Sequence, residues 1–166
     1  NIFLKDTIKT VDEIKIEYSP APAKDYLNDK TSFDTYIEYT HKNGEKGIIG
    51  IEVKYTEREY PLKAGSKEEK NVSDESSIYF SVTNDCGIYK PNSKKLLVRD
   101  KYRQVWRNHL LGEKILIVDK KFKYFTLLTL FPMGNSHFIE TSKEYIALLV
   151  ENSLKFLPVT YEEFLL

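Results

Sequence analysis

SFDTYIEYTHKNGEKGIIGIEVKYTE (residues 32–57) decides the fold. In its first half Phe33, Thr35, Ile37 and Tyr39 alternate with Asp34, Tyr36 and Glu38. In its second half Ile49, Ile51, Val53 and Tyr55 alternate with Ile48, Gly50, Glu52 and Lys54. A period of two belongs to a β-strand with two distinct faces. Two such runs around a short polar stretch read as a β-hairpin. Glu52 and Lys54 then share a face, roughly 6.5–7 Å apart along the strand, and the apolar residues between them turn the other way, into a core.

The turn decides whether Asp34 joins them. A two-residue Asn43-Gly44 turn is the strongest short hairpin signal, but it sets Asp34 opposite Val53, on the wrong face. A three-residue loop, Lys42 to Gly44 with Gly44 left-handed, sets Asp34 opposite Glu52, Ser32 opposite Lys54 and Tyr36 over Gly50. This register is preferred because it also sends Phe33, Ile37, Ile51 and Val53 to one core face. A bulge restores the same parity by another route.

Carboxylates facing each other across a strand pair destabilise it. A divalent cation removes that conflict, since hard Mg2+ takes carboxylate oxygens together with waters and phosphate. It also offsets charge that builds on a phosphate under attack, and a neighbouring lysine can orient the attacking water or stabilise that charge.

Asp34 followed by Glu52-Val53-Lys54 on the next strand resembles the PD-(D/E)XK nuclease superfamily. The resemblance runs through EYSPAPAKDYLNDKTSFD (residues 17–34), GIEVKYTE (50–57) and YRQVWRNHLL (102–111), and so from about Glu17 to the C-terminus. Phe33 stands where the family name has proline. The pattern [DE]-x-K also occurs at Glu13-Lys15, Glu68-Lys70 and Asp119-Lys121, but only Glu52-Lys54 lies in a strand preceded by an Asp-bearing strand. The resemblance implies an α/β fold of restriction-endonuclease type, an αβββαβ core with a mixed central sheet flanked by helices. It implies Asp34 and Glu52 as ligands of Mg2+ (or Mn2+), with the Val53 carbonyl and Glu17 as further metal-site candidates. It implies Lys54 as the residue that positions water. Gln104 and Arg107, on the helix that follows, are the candidates to steady the scissile phosphate, and a planar guanidinium suits that task.

Composition bounds the rest. With 166 residues the chain is expected to be one nuclease-like domain. It opens at Asn1, and only about a dozen residues precede the first strand, so the helix that begins the family core is short or lies outside this chain. No apolar run approaches the ~20 residues of a membrane span, and no signal-peptide pattern is present. Cys86 is alone, which excludes a disulfide framework and a Cys-based zinc site and favours the cytoplasm. Twenty-five basic and twenty-five acidic residues cancel, which argues against tight non-specific binding to DNA.

Along the chain, Ile14, Ile16 and Tyr18 mark a first strand that Pro20 and Pro22 end. Residues 58–77 lose all periodicity and read as a mobile surface loop; residues 78–83 fit a strand or a helical turn. Tyr102, Val105, Trp106, His109 and Leu110 give a helix over 99–118 with Asp100 as N-cap. Arg103 falls on its outer face, and Trp106 and His109 in its core stripe. Residues 122–131 form an apolar strand suited to a position covered on both faces. Thr141 to Glu144 carries a capping-box signature for a helix to about Phe156, ended by Pro158. The same signature at Thr160 to Glu163 starts a last short helix.

Three functions compete: a metal-dependent nuclease acting on nucleic acid, DNA in the first instance, with a homodimer allowed; a nuclease-like fold kept as an inactive nucleic-acid-binding or assembly module; and an unrelated α/β domain in which Lys54 merely bridges Glu52 and Asp34.

Overall fold

The computed structural model describes residues 6–56, 62–150 and 155–165. Five strands form one sheet in the order β1 (Ile8–Tyr18), β2 (Phe33–His41), β3 (Lys46–Val53), β4 (Phe122–Phe131), β5 (Phe156–Thr160). The first three run antiparallel, and β3, β4 and β5 are parallel. The helices are α1 (Lys67–Ser73), α2 (Ile78–Asp85), α3 (Lys94–Leu97), α4 (Asp100–Val118), α5 (Ser136–Ala147) and α6 (Tyr161–Leu165). This is the α/β, mixed-sheet architecture expected of a restriction-endonuclease-like fold.

The hairpin closes through the three-residue loop. His41 N donates to Glu45 O at 2.8 Å, Gly44 N donates to His41 O at 2.9 Å, and Gly44 takes φ of 89°. Tyr36 pairs with Gly50 and Thr35 with Ile51. One step further, the same register sets Asp34 opposite Glu52.

The two faces of the hairpin differ from expectation in one respect. Both are apolar, and the larger core lies on the Glu52 side. There Tyr36, Ile48, Phe125 and Leu127 meet Trp106, Leu110 and Leu111 of α4. The other face holds a smaller cluster of Tyr39, Ile49, Leu128, Leu130 and Val159, with Ile37 and Ile51 packed on it. Phe33 does not join Ile37 and Ile51: it is buried in the larger cluster. Gly50 explains this, because the Phe33 ring occupies the space that a Cβ at Gly50 would take. Val53 is exposed rather than buried. In β4, Phe125 and Leu127 serve one core and Leu128 and Leu130 the other, as a strand covered on both faces requires.

Two segments depart from the pattern read along the chain. Within the expected loop 58–77, Lys67–Ser73 is helical, because the Ser66 side chain accepts from Glu69 N and caps it; residues 58–61 lie outside the described residues. The helix expected from Thr141 to Phe156 begins earlier, at Ser136, where Asn135 accepts from Phe138 N, and it ends at Ala147. Phe156–Thr160 is instead the edge strand β5. Pro158 is tolerated there because β5 pairs on one side only. Residues 78–85 are helical. Asp100 is the first residue of α4, not its cap, which is Arg99. Thr160 and Glu163 close a reciprocal capping box at α6, with Glu163 N donating to Thr160 Oγ1 at 3.1 Å and Thr160 N to Glu163 Oε2 at 2.9 Å.

Candidate active site

Glu52 and Lys54 project from the end of β3 toward α4, and each is only 7% exposed. A buried carboxylate must find donors or lose its charge. Glu52 finds three. Asn108 Nδ2 donates to Oε2 at 2.7 Å, Gln104 Nε2 donates to Oε1, and Lys54 Nζ lies 3.4 Å from Oε1. Lys54 Nζ donates in turn to Gln104 Oε1. Gln104 therefore joins the acid to the base with one amide, and Asn108 repeats the grip one helical turn later. Lys54 N donates to Leu130 O at 2.7 Å, which ties the end of this segment to β4.

Asp34 approaches from β2 on the solvent side. Its Oδ2 accepts the backbone N–H of Val53 at 2.7 Å, so the carboxylate braces β3 between Glu52 and Lys54. The two acids feel each other. Burial raises the Glu52 carboxyl above the usual carboxylate range; Lys54 opposes that rise, and the negative charge of Asp34 adds to it. Two carboxylates and one ammonium leave an excess negative charge at the site.

Of the residues singled out from sequence, the structure brings Asp34, Glu52, Lys54 and Gln104 together. Arg107 belongs to a neighbouring group: it donates to Thr31 Oγ1 at 3.1 and 3.3 Å and pairs with Glu68 at 2.6 Å. Arg103, expected on an outer face, is buried and paired with Asp100. Its guanidinium lies under α1, an element the sequence reading did not contain. Glu17 is exposed on β1, at φ of 51°, and the β1–β2 register sets it opposite Asp34. Among the described residues, however, no three His, Cys, Asp or Glu side chains gather as a metal cluster, so Glu17 does not complete a set with Asp34 and Glu52. At Val53 the group engaged by Asp34 is the amide, not the carbonyl. Asn108 was missed. Its signal was available, because it lies four residues after Gln104 and therefore on the same helix face.

His109 is fully buried, with Nδ1 3.1 Å from Tyr145 Oη. Burial pushes its imidazole down to about 3, so it is a neutral core residue, as its place on the apolar stripe implied. Trp106 is likewise core, donating to Thr83 Oγ1 at 3.0 Å.

The donor set fits a hard divalent cation. Its oxygens are carboxylates and its local charge is negative, with the charge of Asp34 adding to the rise that burial imposes on the Glu52 carboxyl. A mixed sheet flanked by helices, with a hairpin that carries paired acids and a lysine two residues past the second acid, is consistent with a restriction-endonuclease-like fold. A family profile of the PD-(D/E)XK nuclease superfamily matches residues 1–166. The chain belongs to that superfamily. Comparison with curated proteins and with solved structures returns no match. No helix among the described residues is long and apolar enough to cross a membrane.

Proposed function

We propose that this chain is a divalent-cation-dependent phosphodiester hydrolase acting on nucleic acid, with DNA as the first substrate to test. The observation that carries the reading is the convergence of Asp34, Glu52 and Lys54, locked by one amide of α4 that touches both Glu52 and Lys54. Asp34 and Glu52 would hold Mg2+ or Mn2+. When bound, the cation would supply positive charge against a phosphate under attack and acidify water at the site.

The rest follows from the chain's own groups. Lys54, held by Gln104, points its ammonium into the space beside Glu52. There it can orient the attacking water and later stabilise charge on the phosphate oxygens. Gln104 is a positioning residue, since both ends of its amide are spent on Glu52 and Lys54. Asp34 holds the Val53 amide and so fixes the spacing of the two strands at the site. Cys86 as the single cysteine supports a reducing compartment such as the cytoplasm.

A second reading has an observation of its own. Both oxygens of Glu52 are already hydrogen-bonded and the net charge of the chain is zero. These features suit a nuclease-like module that binds or assembles without turnover. Cleavage of plasmid and single-stranded DNA in Mg2+ or Mn2+, run beside Lys54→Ala and Glu52→Ala, separates the two. The hydrolase reading expects cleavage that both substitutions abolish. Cleavage that survives both rules out this site; no cleavage and no Mn2+ binding by calorimetry favours the module.

A further inference from the structure

Arg103 and Arg107 stand one turn apart on α4, on the flank beside Gln104 and Asn108. Both reach Glu68 in the first turn of α1. Arg107 Nη1 lies 2.6 Å from Glu68 Oε1, and Arg103 Nε lies 3.8 Å from the same oxygen. Thr31, three residues ahead of Asp34, holds Arg107 in place: its hydroxyl donates to Asp29 Oδ1 at 2.6 Å and accepts from the guanidinium. One carboxylate oxygen is thus hydrogen-bonded by Arg107 and lies within ion-pair reach of Arg103, whose Nη1 donates to Asp100 Oδ1 at 2.6 Å, next to the segment that leads into the site. Two guanidinium groups turned on one oxyanion are the donor arrangement that suits a phosphate.

The element that supplies Glu68 is weakly anchored. No residue of α1 is fully buried, and its one apolar side chain, Val72, packs partly buried against the larger core. Apart from Glu68, polar ties to the remainder run through Asn71 to Leu27 O at 3.1 Å, Ser77 to Asn71 O at 2.6 Å and Lys67 to Asn28 at 3.1 Å. Arg103 is only 5% exposed, so a cationic pair is kept beside a short helix whose apolar hold on the core is the partly buried Val72.

We infer that Arg103 and Arg107 form a seat for a backbone phosphate of the nucleic-acid strand, and that Glu68 fills this seat in the free protein as a built-in competitor. The choice of ligand rests on the nuclease reading above; the seat itself rests on the two arginines and Glu68. A tethered carboxylate competes at an effective concentration on the order of millimolar. Loose, non-specific strands are therefore held off, and a strand that also engages Asp34, Glu52 and Lys54 displaces Glu68 and α1 with it.

The test is Glu68→Gln, which keeps the side chain's length and removes its charge. Binding of a labelled DNA oligonucleotide, measured without divalent cations, is expected to tighten roughly three- to ten-fold, with a salt dependence steeper by about one ion. Inorganic pyrophosphate is expected to raise the Tm of E68Q more than that of the unmodified protein. The double variant E68Q/R107Q loses both gains. Glu13→Gln, the same change of charge on the edge strand β1, leaves binding where it was. An E68Q protein that only melts lower, with neither ligand bound more tightly, overturns the inference and makes Glu68 a structural partner of the arginines. An equal gain in E13Q overturns it too. The two readings fail separately. Cleavage by the unmodified protein with no gain in E68Q removes the competitor and leaves the hydrolase; gains in E68Q with no cleavage by any variant remove the hydrolase and leave the seat.

Discussion

Asn108 Nδ2 lies 2.7 Å from Glu52 Oε2, and it is a contact between the middle of a helix and the end of a strand 56 residues away in sequence. It satisfies the carboxylate oxygen that Gln104 and Lys54 do not reach. Asn108→Ala leaves that oxygen buried without a partner, at a cost of about 1–3 kcal/mol, read as a lower midpoint in urea. It also removes one of the influences that lower the Glu52 carboxyl, so the Glu52 pKa rises further in a carboxyl-carbon NMR titration. Asn108→Asp adds a third acid. It is expected to destabilise the cation-free protein and to make Mn2+ raise Tm more than it does in the unmodified chain.

Asp34→Asn separates stability from function. Asparagine still accepts the Val53 amide, but the like charge beside Glu52 is gone. The sign follows from the raised Glu52 carboxyl. Its stabilising contribution is full below the unfolded-state pKa and is lost as pH rises through the folded-state value. Removing Asp34 lowers the folded value and shrinks that loss. The cation-free variant is expected to be more stable at neutral pH by up to about 1 kcal/mol, discounted because Asp34 is exposed, and to bind Mn2+ far more weakly. In the unmodified chain the proton and the cation compete for Glu52, so Mn2+ affinity measured by calorimetry falls as pH is lowered.

His109 gives a pH dependence of opposite sense. Its folded-state pKa, pushed down to about 3 by burial, lies below the ordinary value near 6.5. The unfolded chain takes up this proton first, so stability falls as pH drops through the interval between the two values. The slope is at most about 1.4 kcal/mol per pH unit for one proton. The imidazole resonances of His109 are expected to stay in the neutral form from pH 8 to 5, and His109→Gln to flatten the acid limb of a denaturation series.

Gly112 sets how closely α4 lies on the sheet. A Cβ there would overlap the Phe125 ring on β4. Gly112→Ala is expected to cost about 1–3 kcal/mol through overpacking. Phe125→Leu in the same chain should recover part of the loss, which a double-mutant cycle measures as a favourable coupling.

The hairpin was legible because strand periodicity is local. Alternation at Phe33–Tyr39 and Ile48–Lys54, with Gly44 in the turn, carries both the strand faces and the register that sets Asp34 beside Glu52. The meeting of Asp34, Glu52 and Lys54 was legible for the same reason, as far as the hairpin extends, and Gln104 was picked out beside them by resemblance. Which face meets the larger core was less legible. Periodicity says that Glu52 and Ile51 point oppositely, but not that the larger core lies on the side of Glu52. Phe33 shows why: it crosses to that side because Gly50, on the neighbouring strand, leaves room for its ring. The capping box at Thr141 was a false start for α5, because Asn135 offers an earlier cap and a short motif carries no knowledge of its competitors.

By itself the sequence determined the alternating strands, the turn that aligns them, the two acids and lysine at one end of the hairpin, and the superfamily to which the chain belongs. Only the tertiary structure decided what surrounds them. It set α4 over the site, so that Gln104 and Asn108 take up the Glu52 carboxylate, and it drew Arg107 away from that carboxylate toward Glu68 and Thr31. The physical reason is one of range. Side-chain direction along a strand is fixed by bonds within a few residues, whereas the partner of a buried charge is whichever donor the packing of distant elements brings within about 3 Å.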